Sequence, residues 1–221
     1  MTDANRTGSH TGPQDAPSDG FRERILDAML EIAPESGWTD AAFAAACQKA
    51  GLGAGQGALA CPNGIADLLE AFAHRAARAA GAELKAADLS TLKIRQKVRL
   101  GAKAWLAALD AHKAAVKRAA STPANLLTGP KGLWTASDAI WVGIGDASTD
   151  ANWYTKRITL SAVLGSTLLC WAGTDDAAEV DEFLDRRIEN VMQFEKAKAK
   201  FAEQVAAWPD PMDILGKMRK P

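Results

Sequence analysis

The chain of 221 residues carries 26 basic and 27 acidic side chains, for a formal net charge of −1. This balance excludes a protein whose whole surface is built to bind nucleic acid. Apolar residues make up 48% of the chain. Because Ala, Leu and Trp dominate this apolar fraction and strand-type runs are scarce, the composition predicts an all-α protein. The cysteines Cys47, Cys61 and Cys170 lack CxxC spacing, which predicts reduced thiols.

Targeting signals are not evident in the sequence. No stretch of about 18 uncharged apolar residues is present, so we predict neither secretion nor a membrane span, and a cytoplasmic location. Residues 1–20 are polar, contain Gly and Pro, and lack an apolar face. This composition predicts a disordered leader.

Helix signals then follow one another along the chain. Apolar spacing predicts a first helix over residues 20–33, with Gly37 placed to end it. Thr39 is placed to cap the next helix, and Gly51 to close it. The later predicted helices cover residues 54–60, 65–87, a segment capped by Ser90 or Thr91, and residues 131–145, 151–173 and 177–207.

The stretch "AGLGAGQGALACPNG" places four glycines at alternating positions. A dinucleotide fingerprint requires GxGxxG after a strand, and here the spacing differs and a helix precedes it, so a phosphate loop is excluded. The succession of short helices resembles the N-terminal unit of TetR-type regulators. No Lys or Arg lies between Lys49 and Arg75. Since phosphate contacts supply most of the affinity for DNA, we predict no nucleic-acid partner; a TetR-type ligand-responsive regulator stays the alternative.

Catalytic chemistry finds little support in the sequence. His74 and His112 are the histidines outside the leader, and neither belongs to an HExxH pattern. No GxSxG motif is present, and Asp175 and Asp176 have no identifiable partner. We therefore predict a non-enzyme without metal or cofactor; a hydrolase or lyase has no sequence feature in its favour.

The segment "DASTDANWYTKR", Asp146 to Arg157, is more specific than these patterns. Together with "ILDAMLEIAPESGW", "KIRQKVRL" and "FLDRRIENVMQFEK", it resembles the coenzyme Q biosynthesis protein nine family over about residues 21–200. The resemblance implies a TetR-like, dimeric, non-enzymatic accessory protein of ubiquinone synthesis. It also implies that the C-terminal helices bind an isoprenoid quinone precursor and deliver it to the demethoxyubiquinone hydroxylase.

The resemblance places a partner-binding patch on this segment. On a helix, Trp153, Tyr154 and Arg157 share one face, and these residue types are enriched at interface hot spots. Ser148 and Thr149 are also placed to cap that helix. The alternative is that Trp153 and Tyr154 are ordinary core aromatics. The predicted partner-binding residues are Asp150, Asn152, Trp153, Tyr154 and Arg157.

The helix over residues 151–173 is apolar nearly all round, which is typical of a helix that is central or packed against a second subunit. Because TetR-like dimers pair their last two helices, we predict a homodimer, with the other face turned to an internal lipid cavity. Core packing is the alternative for each lining residue. The predicted lining residues are Trp105, Leu109, Leu133, Trp134, Ile140, Trp141, Ile144, Val163 and Leu169.

Two features bear on membranes. Residues 92–118 hold eight basic side chains against one acid, Asp110. This segment is either a solvated helix face or a surface for anionic lipid or an acidic partner. The tail is a short basic amphipathic element suited to the inner face of a membrane. Its predicted membrane-surface residues are Met212, Leu215, Lys217, Met218, Arg219 and Lys220.

These predictions divide the chain into four regions. A disordered leader (1–20) precedes a helix-turn-helix-like unit (21–65). A helical lipid-binding and dimerisation domain (66–207) and a short amphipathic tail (208–221) follow.

Overall fold

A computed structural model describes residues 17–122, 129–149 and 151–206. Over these residues the chain forms nine α-helices and no strand, so the predicted all-α, TetR-like fold class is confirmed. The helices are α1 (Pro17–Ser36), α2 (Asp40–Lys49), α3 (Ala54–Ala60), α4 (Ile65–Ala86), α5 (Ile94–Asp110), α6 (Lys113–Ala120), α7 (Gly129–Gly143), α8 (Ala151–Gly173) and α9 (Ala177–Ala206).

Local signals set the ends of the first helices, as predicted. Gly37 follows α1 with φ of 68°, and Gly51 follows α2 with φ of 69°. This left-handed conformation is one that glycine adopts without steric cost. The Thr39 hydroxyl accepts a hydrogen bond of 3.2 Å from the Ala42 amide and caps α2. Helix α1 begins at Pro17, within the predicted leader.

The predicted cap of α5 is wrong. Neither Ser90 nor Thr91 caps this helix, because the N-cap residue is Lys93. The Lys93 amide donates a hydrogen bond of 2.8 Å to Gln96 Oε1, which satisfies a backbone donor outside the helix. Ser90 instead belongs to the preceding turn, where its amide donates to Asp88 Oδ1 at 3.0 Å.

The N-terminal helices pack directly on the C-terminal ones. Trp38, between α1 and α2, is buried and donates a hydrogen bond of 2.9 Å from Nε1 to the Ala115 carbonyl of α6. Arg118 of α6 donates to the carbonyls of Pro34 and Glu35 at the end of α1. A single buried apolar cluster therefore continues from α1 into α9.

The C-terminal helices cross closely. Helix α4 packs against α5 and α7, while α8 packs against α7 and α9. At the crossing of α5 with α7, a Cβ added to Gly101 would lie 2.7 Å from Ile140 Cγ2. No helix among the described residues is both long and apolar enough to cross a bilayer.

The cysteines are free, as predicted. Cys47 and Cys61 are buried in the N-terminal unit, and burial raises the pKa of Cys61 to about 11. Burial raises the pKa of Cys47 as well. Both side chains therefore serve as small apolar groups in the core at neutral pH.

Candidate functional site

The glycine stretch around α3 has a packing explanation. Gly53 is the N-cap residue of α3, and its amide donates to Gln56 Oε1 at 3.0 Å. A Cβ added to Gly57 would lie 2.8 Å from Cys47 Sγ, so this glycine allows α3 to approach α2. Gly51 closes a turn, Gly53 begins a helix and Gly57 permits a helix crossing. These roles account for the three glycines without a bound phosphate.

The cations near α3 form hydrogen bonds and ion pairs with other groups of the same chain. Arg22 Nε donates a hydrogen bond of 2.8 Å to the Ala60 carbonyl at the end of α3. Lys49 Nζ lies 2.6 Å from Glu31 Oε2. The exposed side chains of α3 are uncharged and include Leu59, which is 65% exposed. The helix that would enter a DNA groove in TetR-type regulators thus presents no cation of its own.

The first cavity, here called the amphipathic cavity, lies between α5, α7, α8 and α9 and has a volume of about 260 Å³. Its floor is apolar and its rim is polar, as suits a ligand with an apolar chain and a polar end. The floor comprises Val98, Trp141, Leu160, Val163, Ile188, Val191 and Met192. The polar rim comprises Arg95, Asn152, Thr155, Lys156, Thr159 and Glu195, and the apolar side chain of Ile94 lies among these lining residues.

A second cavity of about 190 Å³, here called the apolar cavity, lies between α4, α5, α6, α7 and α8. All the side chains that line it are apolar, including Phe72 and Leu168. Gly129 and Gly132 lie at its edge, directly after the undescribed residues 123–128. Among these lining side chains, the indole of Trp105 alone carries a hydrogen-bonding group that could orient a ligand.

The structure divides the lining residues that we predicted for one cavity. Trp141 and Val163 line the amphipathic cavity, whereas Trp105, Leu109 and Leu133 line the apolar cavity. The remaining four line neither. Ile140 is fully buried and Ile144 is packed against the core, Leu169 is 68% exposed, and Trp134 joins the aromatic patch described next.

Three aromatic side chains, Trp134 of α7 and Trp153 and Tyr154 at the start of α8, form the aromatic patch. The Trp134 and Trp153 ring centroids lie 5.7 Å apart, and those of Trp153 and Tyr154 lie 4.7 Å apart, both edge to face. Tyr154 is 61% exposed, so it is not a core aromatic. A clustered, partly exposed set of Trp and Tyr side chains is typical of protein interfaces.

The structure buries Arg157, one of the predicted partner-binding residues. Arg157 is only 1% exposed and lies beneath the patch. Its Nε donates a hydrogen bond of 2.6 Å to Asp138 Oδ1, and its guanidinium lies 3.9 Å from the Trp153 ring centroid. Since the α7–α8 packing encloses this end of the side chain, Arg157 positions Trp153 and does not reach the surface.

Asp146 connects the aromatic patch to the amphipathic cavity. Its carboxylate lies 2.6 Å from Lys156 Nζ on the cavity rim and 3.5 Å from Arg157 Nη1 beneath the patch. Ser148 Oγ donates to the same carboxylate at 2.6 Å. Burial would raise the pKa of Asp146, but the hydrogen bonds from Lys156 and Ser148 outweigh this effect and lower that pKa.

The other predicted residues fall in three places. Asn152 is exposed and lies on the rim of the amphipathic cavity. Asp150 lies outside the described residues. The predicted membrane-surface residues of the tail, Met212 to Lys220, also lie outside them.

Sequence reasoning missed the contribution of α9 to the amphipathic cavity. Ile188, Val191 and Met192 lie at helical spacing on one face of α9 and close the cavity floor. The spacing alone predicts an apolar face. What that face packs against depends on residues that are far away in the chain, such as Val98 of α5.

Fold and site together define an all-helical protein with a TetR-like arrangement and an amphipathic cavity beside an aromatic surface. A profile of the COQ9 family matches residues 126–195, the region that supplies α7, α8 and most of α9. Residues 126–195 therefore resemble the COQ9 family, and the resemblance predicted from the sequence is confirmed.

Curated relatives agree with this assignment. The human protein named "Ubiquinone biosynthesis protein COQ9, mitochondrial" is 30% identical over 183 residues, which cover 78% of this chain and 58% of the human protein. The Drosophila melanogaster protein of the same name is 24% identical over 202 residues, with 84% and 60% covered. A Dictyostelium discoideum protein named "Probable ubiquinone biosynthesis protein coq9, mitochondrial" is 25% identical over 193 residues, with 82% and 63% covered. The aligned region thus spans about three fifths of each relative's length.

Proposed function

We propose that this chain is a non-enzymatic accessory protein of ubiquinone biosynthesis that binds an isoprenoid quinone precursor in the amphipathic cavity. In this proposal a homodimer at the membrane surface presents the precursor to the demethoxyubiquinone hydroxylase. The names of the curated relatives support the place in ubiquinone biosynthesis. The cavity and the aromatic patch support the two binding steps.

The observation that carries the proposal is the polarity of the amphipathic cavity. Trp141, Leu160 and Val163 give it an apolar floor, while Thr155 and Lys156 give it a polar rim. Burying an isoprenoid chain against such a floor contributes about 25 cal/mol per Å² of apolar area. A polar quinone precursor would place its ring at the rim, where hydroxyl and ammonium groups donate hydrogen bonds.

The size of the cavity limits how much of the ligand it holds. Its volume of about 260 Å³ is slightly below the roughly 300–1,000 Å³ of pockets that enclose a drug-sized ligand. A long isoprenoid would therefore place one end in the cavity and leave the rest of its chain in the bilayer or against a second subunit.

The hydroxylase would dock on the aromatic patch, which lies next to the cavity rim on α8. Tyr154 is exposed, and Trp153 is held from below by Arg157. Asn152 and Thr155 flank these aromatics in sequence and line the cavity. A ligand ring at this rim would lie close to an enzyme bound to Tyr154.

The homodimer would use the exposed face of α8. Ile158 and Leu169 are exposed apolar residues, and the exposed Ala162 lies between them, one helical turn after Ile158. On α9, the side chain of Phe194 is also exposed. Small residues between large apolar ones allow two helices to approach closely, which suits pairing with a second copy.

Organic extraction of the purified protein followed by mass spectrometry tests the lipid-binding proposal. We expect a polyprenyl quinone or another isoprenoid at near one molecule per subunit. Val191→Trp fills the cavity floor and should abolish this signal. Asn190→Trp adds the same side chain at the exposed neighbouring position and should leave the signal unchanged.

The contrary outcome is specific. An empty protein, or only phospholipid at equal levels in wild type and Val191→Trp, would contradict carriage of an isoprenoid by this cavity. Docking is tested separately by co-purification with the hydroxylase. We expect Tyr154→Ala to lose the enzyme, while Leu59→Ala, which removes an exposed apolar side chain on α3, should retain it.

A further inference from the structure

We infer that the N-terminal end of α5 is a surface that binds the anionic headgroups of a lipid bilayer, next to the opening of the amphipathic cavity. This surface, here called the α5 basic end, comprises Lys93, Ile94, Arg95 and Lys97. Its role as an entry route for a lipid ligand rests on the proposed function. Its affinity for an anionic membrane does not.

Most other cations of the basic segment are engaged within the protein. Arg99 Nε lies 2.6 Å from Asp185 Oδ1, and Lys103 Nζ lies 2.6 Å from Asp181 Oδ2, so both are paired with α9. Lys113 Nζ lies 2.7 Å from Asp175 Oδ1. These pairs fasten α5 and α6 to α9 and its preceding loop, and their charges are compensated locally.

The cations of the α5 basic end are not compensated in this way. In the part of the chain that the structure describes, the side chains of Lys93, Arg95 and Lys97 form no ion pair and no hydrogen bond. Lys93 and Arg95 are exposed. Among the residues that line the amphipathic cavity, the one acidic residue is Glu195 on α9. Three positive charges therefore lie within five residues, and two of them, on Lys93 and Arg95, are exposed.

An exposed apolar side chain lies among these cations. Ile94 is 48% exposed and lines the amphipathic cavity together with Arg95. The cavity thus meets the surface where the charges are. A bilayer interface matches this combination, because anionic headgroups pair with Lys and Arg while an adjacent apolar side chain enters the acyl boundary. An acidic protein would match the charges alone and would give the apolar cavity opening no role.

Vesicle co-sedimentation of the full chain tests the inference. The probe is vesicles of phosphatidylcholine with about 30% phosphatidylglycerol, an anionic lipid that gives the vesicle a negative surface potential. Vesicles of phosphatidylcholine alone serve for comparison. We expect Lys93→Gln/Arg95→Gln to bind anionic vesicles about tenfold to thirtyfold more weakly than wild type. The control, Lys49→Gln/Lys117→Gln, removes the same charge from α2 and α6 and should bind like wild type.

A second pair of variants tests the apolar contact. Ile94→Ser should weaken vesicle binding severalfold, whereas Leu59→Ser, at a more exposed apolar position on α3, should not. The C-terminal tail is present in every variant, so its own membrane affinity cancels in each comparison. Circular dichroism melting confirms that each variant is folded.

Three results would overturn the inference. Both double variants could bind anionic vesicles as tightly as wild type, or both could lose binding to the same extent. In the third, wild type would bind vesicles equally with and without anionic lipid. These results are distinguishable from a failure of the proposed function. If extraction yields no isoprenoid but Lys93→Gln/Arg95→Gln still loses vesicle binding, the α5 basic end binds membranes and the proposed isoprenoid binding is contradicted. If isoprenoid is extracted and both double variants bind vesicles equally, the ligand enters by another route.

Discussion

Arg157 is the largest fully buried side chain among the described residues. Burying a guanidinium costs several kcal/mol unless charged and hydrogen-bonding partners compensate it. Here Asp138 and Asp146 supply the opposite charge, and the face of Trp153 covers the guanidinium plane. A side chain that needs three partners to remain buried is suited to holding Trp153 in place and poorly suited to leaving for a binding partner.

We therefore predict that Arg157→Gln lowers the free energy of unfolding by about 3–5 kcal/mol, because it leaves the Asp146 carboxylate with less compensation. Tyr154→Ala should lower it by less than about 1 kcal/mol, since Tyr154 is exposed. Urea unfolding followed by fluorescence measures both changes. If Arg157→Gln were as stable as wild type yet lost the hydroxylase, a direct docking role for Arg157 would be restored.

The lowered pKa of Asp146 predicts a dependence of stability on acid. A carboxyl whose pKa is lower in the folded state stabilises the fold above its ordinary value of 3.8, and this stabilisation declines as the pH falls toward the lowered pKa. The stability difference between wild type and Asp146→Asn should be constant from pH 7 to about 5 and shrink below pH 4. Urea unfolding at each pH measures it. A difference that stayed constant down to pH 3 would show that the ion pair with Lys156 contributes nothing.

At the scale of helices, glycines that look alike in the sequence have different roles. Gly101 and Gly55 both lie within helices, but a Cβ at Gly101 would lie 2.7 Å from Ile140 and 2.9 Å from Leu84. Nothing lies within 4 Å of the corresponding point at Gly55. Alanine favours a helix by up to about 1 kcal/mol over glycine, and overpacking costs about 1–3 kcal/mol.

We predict that Gly101→Ala lowers the free energy of unfolding by about 1–2 kcal/mol, because the close crossing of α5 with α4 and α7 outweighs helix propensity. Gly55→Ala should raise it by about 0.5 kcal/mol. Paired chemical denaturation curves give both values. Stabilisation by Gly101→Ala would mean that Ile140 and Leu84 can move apart without loss of packing.

Helix ends were predictable where they depend on local chemistry. Gly37, Thr39 and Gly51 act through their own backbone and side chains, so their roles could be deduced from sequence. The start of α5 was not predictable in this way. Ser90 is a good cap by residue type, but its amide donates to Asp88 in the turn. The N-cap is Lys93, three residues later, and its amide donates to the side chain of Gln96.

The candidate site was predictable in part for a related reason. Helical spacing indicated correctly that Trp153, Tyr154 and Arg157 cluster, but spacing does not reveal which end of the cluster faces solvent. That outcome depends on Asp138 of α7, which receives Arg157. The division of the predicted lining between two cavities likewise depends on how α4 to α9 cross, which is long-range packing that no local pattern encodes.

At the scale of the whole molecule, three surfaces meet around the amphipathic cavity. The start of α5 brings Arg95 to its rim, the start of α8 brings the aromatic patch beside it, and the middle of α9 closes its floor. Asp146 contacts both the rim and the support of the patch. In the proposed function, membrane, ligand and enzyme would therefore be engaged at one end of the helical bundle, which leaves the exposed middle of α8 for a second subunit.

The last prediction concerns that second subunit. In the proposed homodimer, Ile158 and Leu169 leave water on association, and each fully buried aliphatic side chain contributes about 1.5–3 kcal/mol. We expect wild type to show twice the 23.4 kDa of one chain in size-exclusion chromatography with light scattering. Leu169→Glu should shift the mass to one chain, because two carboxylates would face each other in an apolar contact. Leu59→Glu places the same charge on α3 and should leave the dimer intact. A monomeric wild type would contradict the homodimer. A dimer that persists in Leu169→Glu would show that another surface, such as the one around the exposed Phe194 of α9, forms the interface.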